Sequence, residues 1–473
     1  MTVIEAQREF LETQNPYMGD IPQTIPLNVI DRVFFVPQSS DYDGDYFPTS
    51  FARVTRLKYP VPPEAFVHAL KLVDDRFPQL RIGYRINPEQ VVLERVPDHE
   101  RDAYFESLVR PLYSNDSSDD ILADLISHNT EPLGSLINIF YRDDELYIKM
   151  FHIIGDARHL ATFTHYYFTA LFMPERFEQL PQLADNFWSP VSNIIWHHPK
   201  QAFTILSRFT INVTQRVWRF VRELVGTKKP TVKQLERDPM VSGSTVGVIT
   251  SIVEEDGLQA LFEARKHIIP DEKISLNNLM LIELAMRLQQ KGYLKQKVTY
   301  SIPVDLRRYR KGDKDFYPGN LVSQIRVTIN QKKPAKIARL LQQRTANQLK
   351  RYTPLVGMPF EWVMNLLPRK VYDGLHQSWS LNRHLNPERF FVLSNVGSLD
   401  KVYGGFKDFV DLNMHGALAP MDTPLIVILS TVDGRGQITT SFDPNLISHD
   451  DVRDIIDFNN QPLQILEERS APL

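Results

Sequence analysis

Leu146-Tyr147-Ile148-Lys149-Met150-Phe151-His152-Ile153-Ile154-Gly155-Asp156-Ala157 is the stretch on which the reading of this chain turns. Leu146, Ile148, Met150 and His152 fall on every second position, so an extended strand sets them on one face. The strand carries a histidine to its end, where the chain leaves the sheet. Ile153-Ile154-Gly155-Asp156 reads as a turn, and a helix is predicted from about His159 to Phe172. Just upstream, residues 136–142 form another strand-like run, and Asp143-Asp144-Glu145 between the runs is a turn-rich trio. The stretch is therefore a hairpin that opens into a helix, with His152 and Asp156 spaced H-x-x-x-D across the opening. Taken alone this spacing is weak, because a histidine hydrogen-bonded at a strand end satisfies it as well.

Working outward, Pro62 and Pro63 suit a first helical turn, and Phe66, Leu70, Val73 and Phe77 recur on one helical face. Pro78 stops that helix, and Leu80, Ile82, Tyr84 and Ile86 then alternate as in a strand. Residues 25–57 read as strands and loops, and 114–122 as a loop into a short helix. Residues 178–202 are proline-bearing and read as a connection. From Leu206 to Val225 a helix is predicted, with Arg208, Asn212, Gln215, Arg216, Arg219 and Arg222 on its polar side. Lys228 and Lys229 extend its charge, and Gly226 and Pro230 end it. The second half starts near Pro239. Strands are predicted at 245–253, 298–304, 321–329, 390–396, 425–432 and 437–442, and helices at 256–266, 275–290, much of 334–384, and His449 to Leu466. There is no tandem repeat and no regular strand–helix alternation. That pattern predicts α+β domains with mixed sheets.

Composition narrows the classes. The chain has 473 residues, 42% hydrophobic and 23% charged, which allows a sizeable core and two domains. Acidic and basic residues number 57 and 54, for a formal charge of −3, unlike a nucleic-acid-binding domain. There is no cysteine, so disulfides, cysteine zinc sites and a cysteine nucleophile are excluded. Met1 to Gln23 has no apolar core of a signal peptide, and no uncharged apolar run is long enough to span a membrane. A soluble cytoplasmic protein is the expectation. No G-x-S-x-G elbow supports a serine hydrolase; Val241-Ser242-Gly243-Ser244 does not supply one. The His197-His198 pair lacks an Asp four residues later and any third metal ligand.

Phe151-His152-Ile153-Ile154-Gly155-Asp156-Ala157 resembles the HHxxxDG signature of the coenzyme A-dependent acyltransferase and condensation-domain superfamily. Chloramphenicol acetyltransferase, wax ester synthases and alcohol acetyltransferases belong to it. Further landmarks resemble it in the same order: Phe77-Pro78-Gln79-Leu80-Arg81, Pro303-Val304-Asp305-Leu306-Arg307-Arg308, Gly319-Asn320-Leu321-Val322-Ser323, Ser394-Asn395-Val396-Gly397, and Asp433-Gly434 to Asp443-Pro444. The resemblance spans about 60–460. It departs at Phe151, which replaces the first histidine, and at Ala157, which replaces the final glycine. Asp411-Leu412-Asn413-Met414-His415-Gly416 is a poor match to the DFGWG segment of plant-type members.

The resemblance implies two chloramphenicol acetyltransferase-like α+β domains forming a pseudo-dimer with an interface tunnel. They are placed at 1–200 and 235–473, with 201–234 as an amphipathic crossover. It implies an acyltransferase in which His152 is the general base, moving an acyl group from a thioester to a hydroxyl of an alcohol or glycolipid. Acyl-CoA is the favoured donor, no covalent intermediate forms, and no cofactor is needed. A neutral imidazole suits this work, because its ordinary pKa lies near working pH. Asp156 either orients His152 or, as the resemblance implies, pairs with Arg307 to shape the loop. Gly155, Asn320, Ser394 and Asn395 are candidate substrate-binding residues; for Asn320, Ser394 and Asn395, turn formation and strand-end capping are the alternative. His159 and His165 read as ordinary helix residues. The 206–225 stretch is either a helix at the domain junction or a peripheral membrane contact. Two other functions stay open: an amide-forming condensation enzyme whose donor arrives on a carrier protein, and a catalytically silent binding module of the same fold.

Overall fold

The computed structural model describes residues 23–25, 35–37, 46–48, 50–86, 91–127, 135–183, 207, 246–268, 274–309, 319–356, 391–411, 415–418, 423–461 and 463–467. The 201–234 crossover, apart from residue 207, and with it the 206–225 helix expectation, lies outside them, as do His197 and His198.

Short strands β1 (Gln23–Ile25), β2 (Phe35–Pro37) and β3 (Tyr46–Pro48) precede β4 (Ser50–Arg56). Helix α1 (Pro63–Asp74) begins on the proline expected at its first turn and buries Phe66, Leu70 and Val73. Leu80 belongs to a tight turn, not to the following strand: Pro78 opens a 3₁₀ turn to Arg81, and the Leu80 N–H donates to the Phe77 carbonyl at 3.0 Å. Strands β5 (Ile82–Ile86) and β6 (Val91–Arg95), helix α2 (Arg101–Leu108), strand β7 (Val109–Pro111) and helix α3 (Ser118–Ser127) lead to the hairpin β8 (Ile137–Arg142) and β9 (Glu145–Phe151). Asp143 takes φ 48° at the hairpin tip, a left-handed conformation that aspartate tolerates. Helix α4 (Ala157–Phe172) starts two residues earlier than its apolar spacing suggests, because Asp156 caps it.

The second half contributes β10 (Gly247–Val253), α5 (Glu255–Ile268), α6 (Leu276–Gln290), β11 (Lys297–Asp305), β12 (Val322–Asn330), α7 (Pro334–Lys350), β13 (Phe391–Ser398), β14 (His415–Leu418), β15 (Leu425–Val432), β16 (Arg435–Phe442) and α8 (His449–Ile456). Asp433 and Gly434, both at positive φ, join β15 to β16 in a two-residue hairpin. The single last helix expected to Leu466 is broken. The Asp457 carboxylate accepts the N–H groups of Asn459 and Asn460, turning the chain after Ile456. A short helix resumes at Gln464–Glu467, where Glu283 of α6 accepts the N–H groups of Gln464 and Ile465.

The larger sheets are a five-stranded one, ordered β14-β4-β9-β8-β7, and a six-stranded one, ordered β10-β16-β15-β13-β11-β12. In the first, β9 is central and buried on both faces. Leu146, Ile148 and Met150 pack with α1 and α4, while Tyr147 packs with Ala52, Phe140, Val248 and α3. The division expected at 201–234 does not separate the two cores. β14 pairs antiparallel with β4, and Leu399, Tyr403, Phe406 and Val410 are buried in the first half's core. With β14 in place β4 is hydrogen-bonded on both sides, and the sheet edge passes to β14. No helix among the described residues is long and apolar enough to cross a membrane.

Candidate active site

His152 directly follows the central strand β9 and is buried. Its ring lies 4.6 Å from that of Phe51 on β4. The loop 152–156 that carries it is held by residues of the second half. The Asn320 Nδ2 donates to the His152 backbone carbonyl at 3.0 Å. The Leu321 N–H donates to Asp156 Oδ2 at 2.9 Å, and the Gly319 N–H donates to His159 Nδ1 at 2.9 Å. Arg307 donates to Asp156 through both terminal nitrogens, at 2.7 and 3.2 Å, and to the Gly319 carbonyl at 2.8 Å. Asp305 accepts from the Arg307 side chain and backbone at 3.2 and 2.9 Å.

Asp156 is thus occupied away from the histidine ring. Its Oδ1 also accepts the His159 N–H at 3.0 Å, capping α4. Burial disfavours its charge, but the Arg307 guanidinium and the Leu321 and His159 backbone donors outweigh that and hold the carboxyl below its usual range. Asp156 and Arg307 therefore work as a buried, bidentate pair that ties the loop to the start of β12. Arg308, next along, is exposed and lies over the Tyr309 ring.

The other candidates divide. Asn320 reaches the histidine loop directly. Gly155 lies against α4: a Cβ there would sit 2.2 Å from the His159 ring, so close packing requires glycine. Ser394 is half-buried on β13 and Asn395 is exposed, its Oδ1 accepting the Gly397 N–H at 2.8 Å beside a bulge in the β13–β15 pairing. This is the turn-forming alternative for Asn395, at a bulge inside its own strand. No described contact joins Ser394 or Asn395 to His152.

His159 is the residue that sequence reasoning passed over. It is fully buried, bridges the halves through Gly319, and lies 4.9 Å ring to ring from Phe77. The sequence offered only a glycine before the helix; the structure shows that Gly155 has no positive φ and is needed for the close approach of the His159 ring. Because the Gly319 N–H must donate, His159 Nδ1 is the accepting nitrogen and the ring proton sits on Nε2. His165, by contrast, donates from Nδ1 to the Val402 carbonyl at 2.8 Å and belongs to packing. A cavity of about 480 Å³ lies between α3, β10 and α8, lined by Asp119, Thr250, His449 and Arg453 among others; no residue of the His152 loop lines it.

Burial pushes His152 down to about 4, against a weaker upward pull from its own backbone carbonyl and Asp156. Burial pushes His159 to about 3, with Asp156 opposing and Arg307 reinforcing. Both rings are therefore neutral at neutral pH. In the unfolded chain each would titrate near 6.5. Below that pH the unfolded state takes up protons that the folded state refuses, so stability falls as pH falls. The expected loss between pH 7 and pH 5 is about 4 kcal/mol for the two histidines together. Urea melts at the two pH values check it. A stability unchanged over that range would show that the rings are not held neutral.

No protein-family model matches the chain, and no curated protein matches its sequence. Solved structures do match it in fold. The TRI3 trichothecene 15-O-acetyltransferase from Fusarium sporotrichioides superposes with a TM-score of 0.60 at 11% identity, covering 87% of this chain and 90% of that one. The first condensation domain of the CDA synthetase gives 0.56 at 13% identity, over 94% and 98% of the two chains. The epimerization domain from the third module of tyrocidine synthetase B gives 0.54 at 14% identity, over 95% and 97%. The chain thus shares its two-lobed fold with an O-acetyltransferase and with condensation and epimerization domains.

Proposed function

We propose that this protein is an acyltransferase that moves an acyl group from a thioester to a hydroxyl, with His152 as general base. The observation that carries the reading is the buried His152 directly after a central strand, on a loop gripped from the other half by Asn320, Leu321 and Arg307. A neutral imidazole held rigidly where two lobes meet can take a proton from an acceptor as that acceptor attacks. The acceptor O–H gives its proton to the ring while its oxygen bonds to the thioester carbonyl carbon. The tetrahedral oxyanion then collapses, the C–S bond breaks, and the departing sulfur takes the proton from the imidazolium. Atoms balance without a covalent acyl-enzyme and without a cofactor. Acyl-CoA is the favoured donor and an alcohol or glycolipid the favoured acceptor. The thioester would enter an interface tunnel from one face and the acceptor from the other.

Free-thiol release from acyl-CoAs of short to long chain, with and without a mixture of alcohols and amines, tests this. Acceptor-dependent release is expected, strongest with alcohols. Release with amines only would favour amide formation. No release from any acyl-CoA, nor from an acylated carrier protein, would remove the acyltransferase reading and leave a silent binding module.

A further inference from the structure

Charge of one sign collects along α7 and the strand before it. From Arg326 to Arg351 the chain carries Lys332, Lys333, Lys336, Arg339, Arg344 and Lys350 as well, and no Asp or Glu, a formal +8 in a chain whose total is −3. All of these side chains are exposed. Ile337, Ala338 and Leu341 bury the inner face of α7, which leaves Lys336, Arg339, Gln343, Asn347 and Lys350 on its solvent side. At about 1.5 Å per residue, the stripe from Lys336 to Lys350 is about 21 Å long. Other solvent-facing helices mix signs and pair them internally, as Lys266 with Glu263 on α5 and Arg453 with Asp450 on α8. Lys332, Lys333, Lys336 and Lys350 have no acidic partner among the described residues.

Edge protection does not account for the stripe. β12 is an edge strand, so Arg326 there discourages strand pairing. A helix has no open edge to protect. The stripe is also placed beside the candidate site. α7 runs back along β12: the Gln348 Nε2 donates to the Arg326 carbonyl at 2.8 Å, and farther on the Ser323 hydroxyl donates to the Pro354 carbonyl at 2.9 Å. Ser323 is two residues from Leu321, which donates to Asp156. Lys350 and Arg351 thus lie at the end of the helix nearest the strand that grips the His152 loop.

We propose that this cationic face docks on an anionic lipid surface and sets the reaction site beside the bilayer. Clusters of four to eight Lys and Arg on a helix are the electrostatic match for acidic headgroups. The large apolar side chains exposed among the described residues are Tyr59, Tyr113 and Phe262, none of them on α7. A stable protein interface needs an apolar centre that the stripe lacks, which favours a headgroup layer over a protein partner. Docking is by charge alone, without insertion. What the bilayer supplies, a lipid-borne acyl donor or acceptor, rests on the acyltransferase reading; the docking does not.

The full-length chain is sedimented with phosphatidylcholine vesicles, with and without phosphatidylserine, at low and high salt. Binding is expected only with phosphatidylserine and is expected to vanish at high salt. The K332Q/K333Q/K336Q/K350Q variant should keep the wild-type circular dichroism and melting temperature and bind at least about tenfold more weakly. Wild type that ignores phosphatidylserine vesicles at low salt overturns the proposal. So does a quadruple variant that binds as wild type does, which would place any lipid contact elsewhere, for example at residues 206–225. Wild type retained by immobilised polyglutamate but not by vesicles overturns it too, and assigns the face to an acidic protein. Sedimentation needs no acyl transfer, so its failure and the failure of the catalytic reading are separately visible.

Discussion

His152→Ala should lower acceptor-dependent thiol release by about 10²- to 10⁴-fold, the contribution of one positioned general base. The fall should lie in kcat, with KM little changed, because the base acts on a proton that moves only in the transition state. The fold should survive. Asn320 holds the backbone carbonyl of residue 152, not its ring, and Asp156 and Arg307 pair without it. A melting temperature close to wild type beside an inactive enzyme is therefore the expected pair of results. Wild-type kcat/KM should also hold steady from pH 7 down to about pH 5, since burial pushes the His152 ring to about 4. Activity retained in His152→Ala would end the general-base reading. An acid limb near 6.5 would instead say that the ring is solvated in the free enzyme.

Breaking the Asp156–Arg307 pair from either side should cost about 3–5 kcal/mol, because each single change leaves the other charge buried without its partner. Arg307→Met strands a carboxylate that also caps α4 and takes the Leu321 N–H. Asp156→Leu removes the bidentate partner of a buried guanidinium that still donates to Gly319 and Asp305. The double variant should be less unstable than the sum of the singles, with a coupling of about 0.5–3 kcal/mol. Activity should fall in all three variants, and it should fall together with loop order, read as faster hydrogen exchange at Leu321 and Gly319. If instead the singles keep wild-type melting temperatures and exchange yet lose kcat, Asp156 acts on the histidine chemically. Its role would then be orientation of His152 and not attachment of the loop.

The hairpin β8–β9 and the helix after it were legible because their information is local. Alternation from Leu146 to His152 requires a strand and Asp143-Asp144 suits a tight turn, while the Asp156 cap that starts the helix two residues early went unread. The same holds for α1 after Pro62 and for α6, whose N-cap is Ser275. Errors gathered where a distant group overrides local pattern. One error was local: the Leu80 alternation continues the strand rhythm of Ile82 and Tyr84, yet Pro78 and Phe77, two and three residues back, fold Leu80 into a 3₁₀ turn. The apolar rhythm after His449 runs through Asp457, but the Asn459 side chain leaves the helix to meet the Ile252 carbonyl and the Glu254 N–H of the second half's edge strand. His159 is the same case within the site: nothing next to it in sequence names Gly319 as its partner.

By itself, then, the sequence determined the alternating and helical runs, the hairpins, and the placing of His152 and Asp156 on one loop after a strand. Those follow from side-chain periodicity and turn chemistry within a dozen residues. Its ordered landmarks also singled out Arg307 and Asn320, though as names without geometry. The tertiary structure alone decided that Asn320 holds the histidine backbone, that Gly155 packs against the His159 ring, and that Asn395 bonds locally at a bulge in its own strand. It alone brought β14 and residues 399–410 back into the first half, and aligned the charges of α7 with the strand that grips the site. The pairings that hold the histidine loop join groups more than a hundred residues apart, as Asp156 and Arg307 are. What selects them is burial, which leaves a polar or charged group only the partners that the packed chain brings within reach.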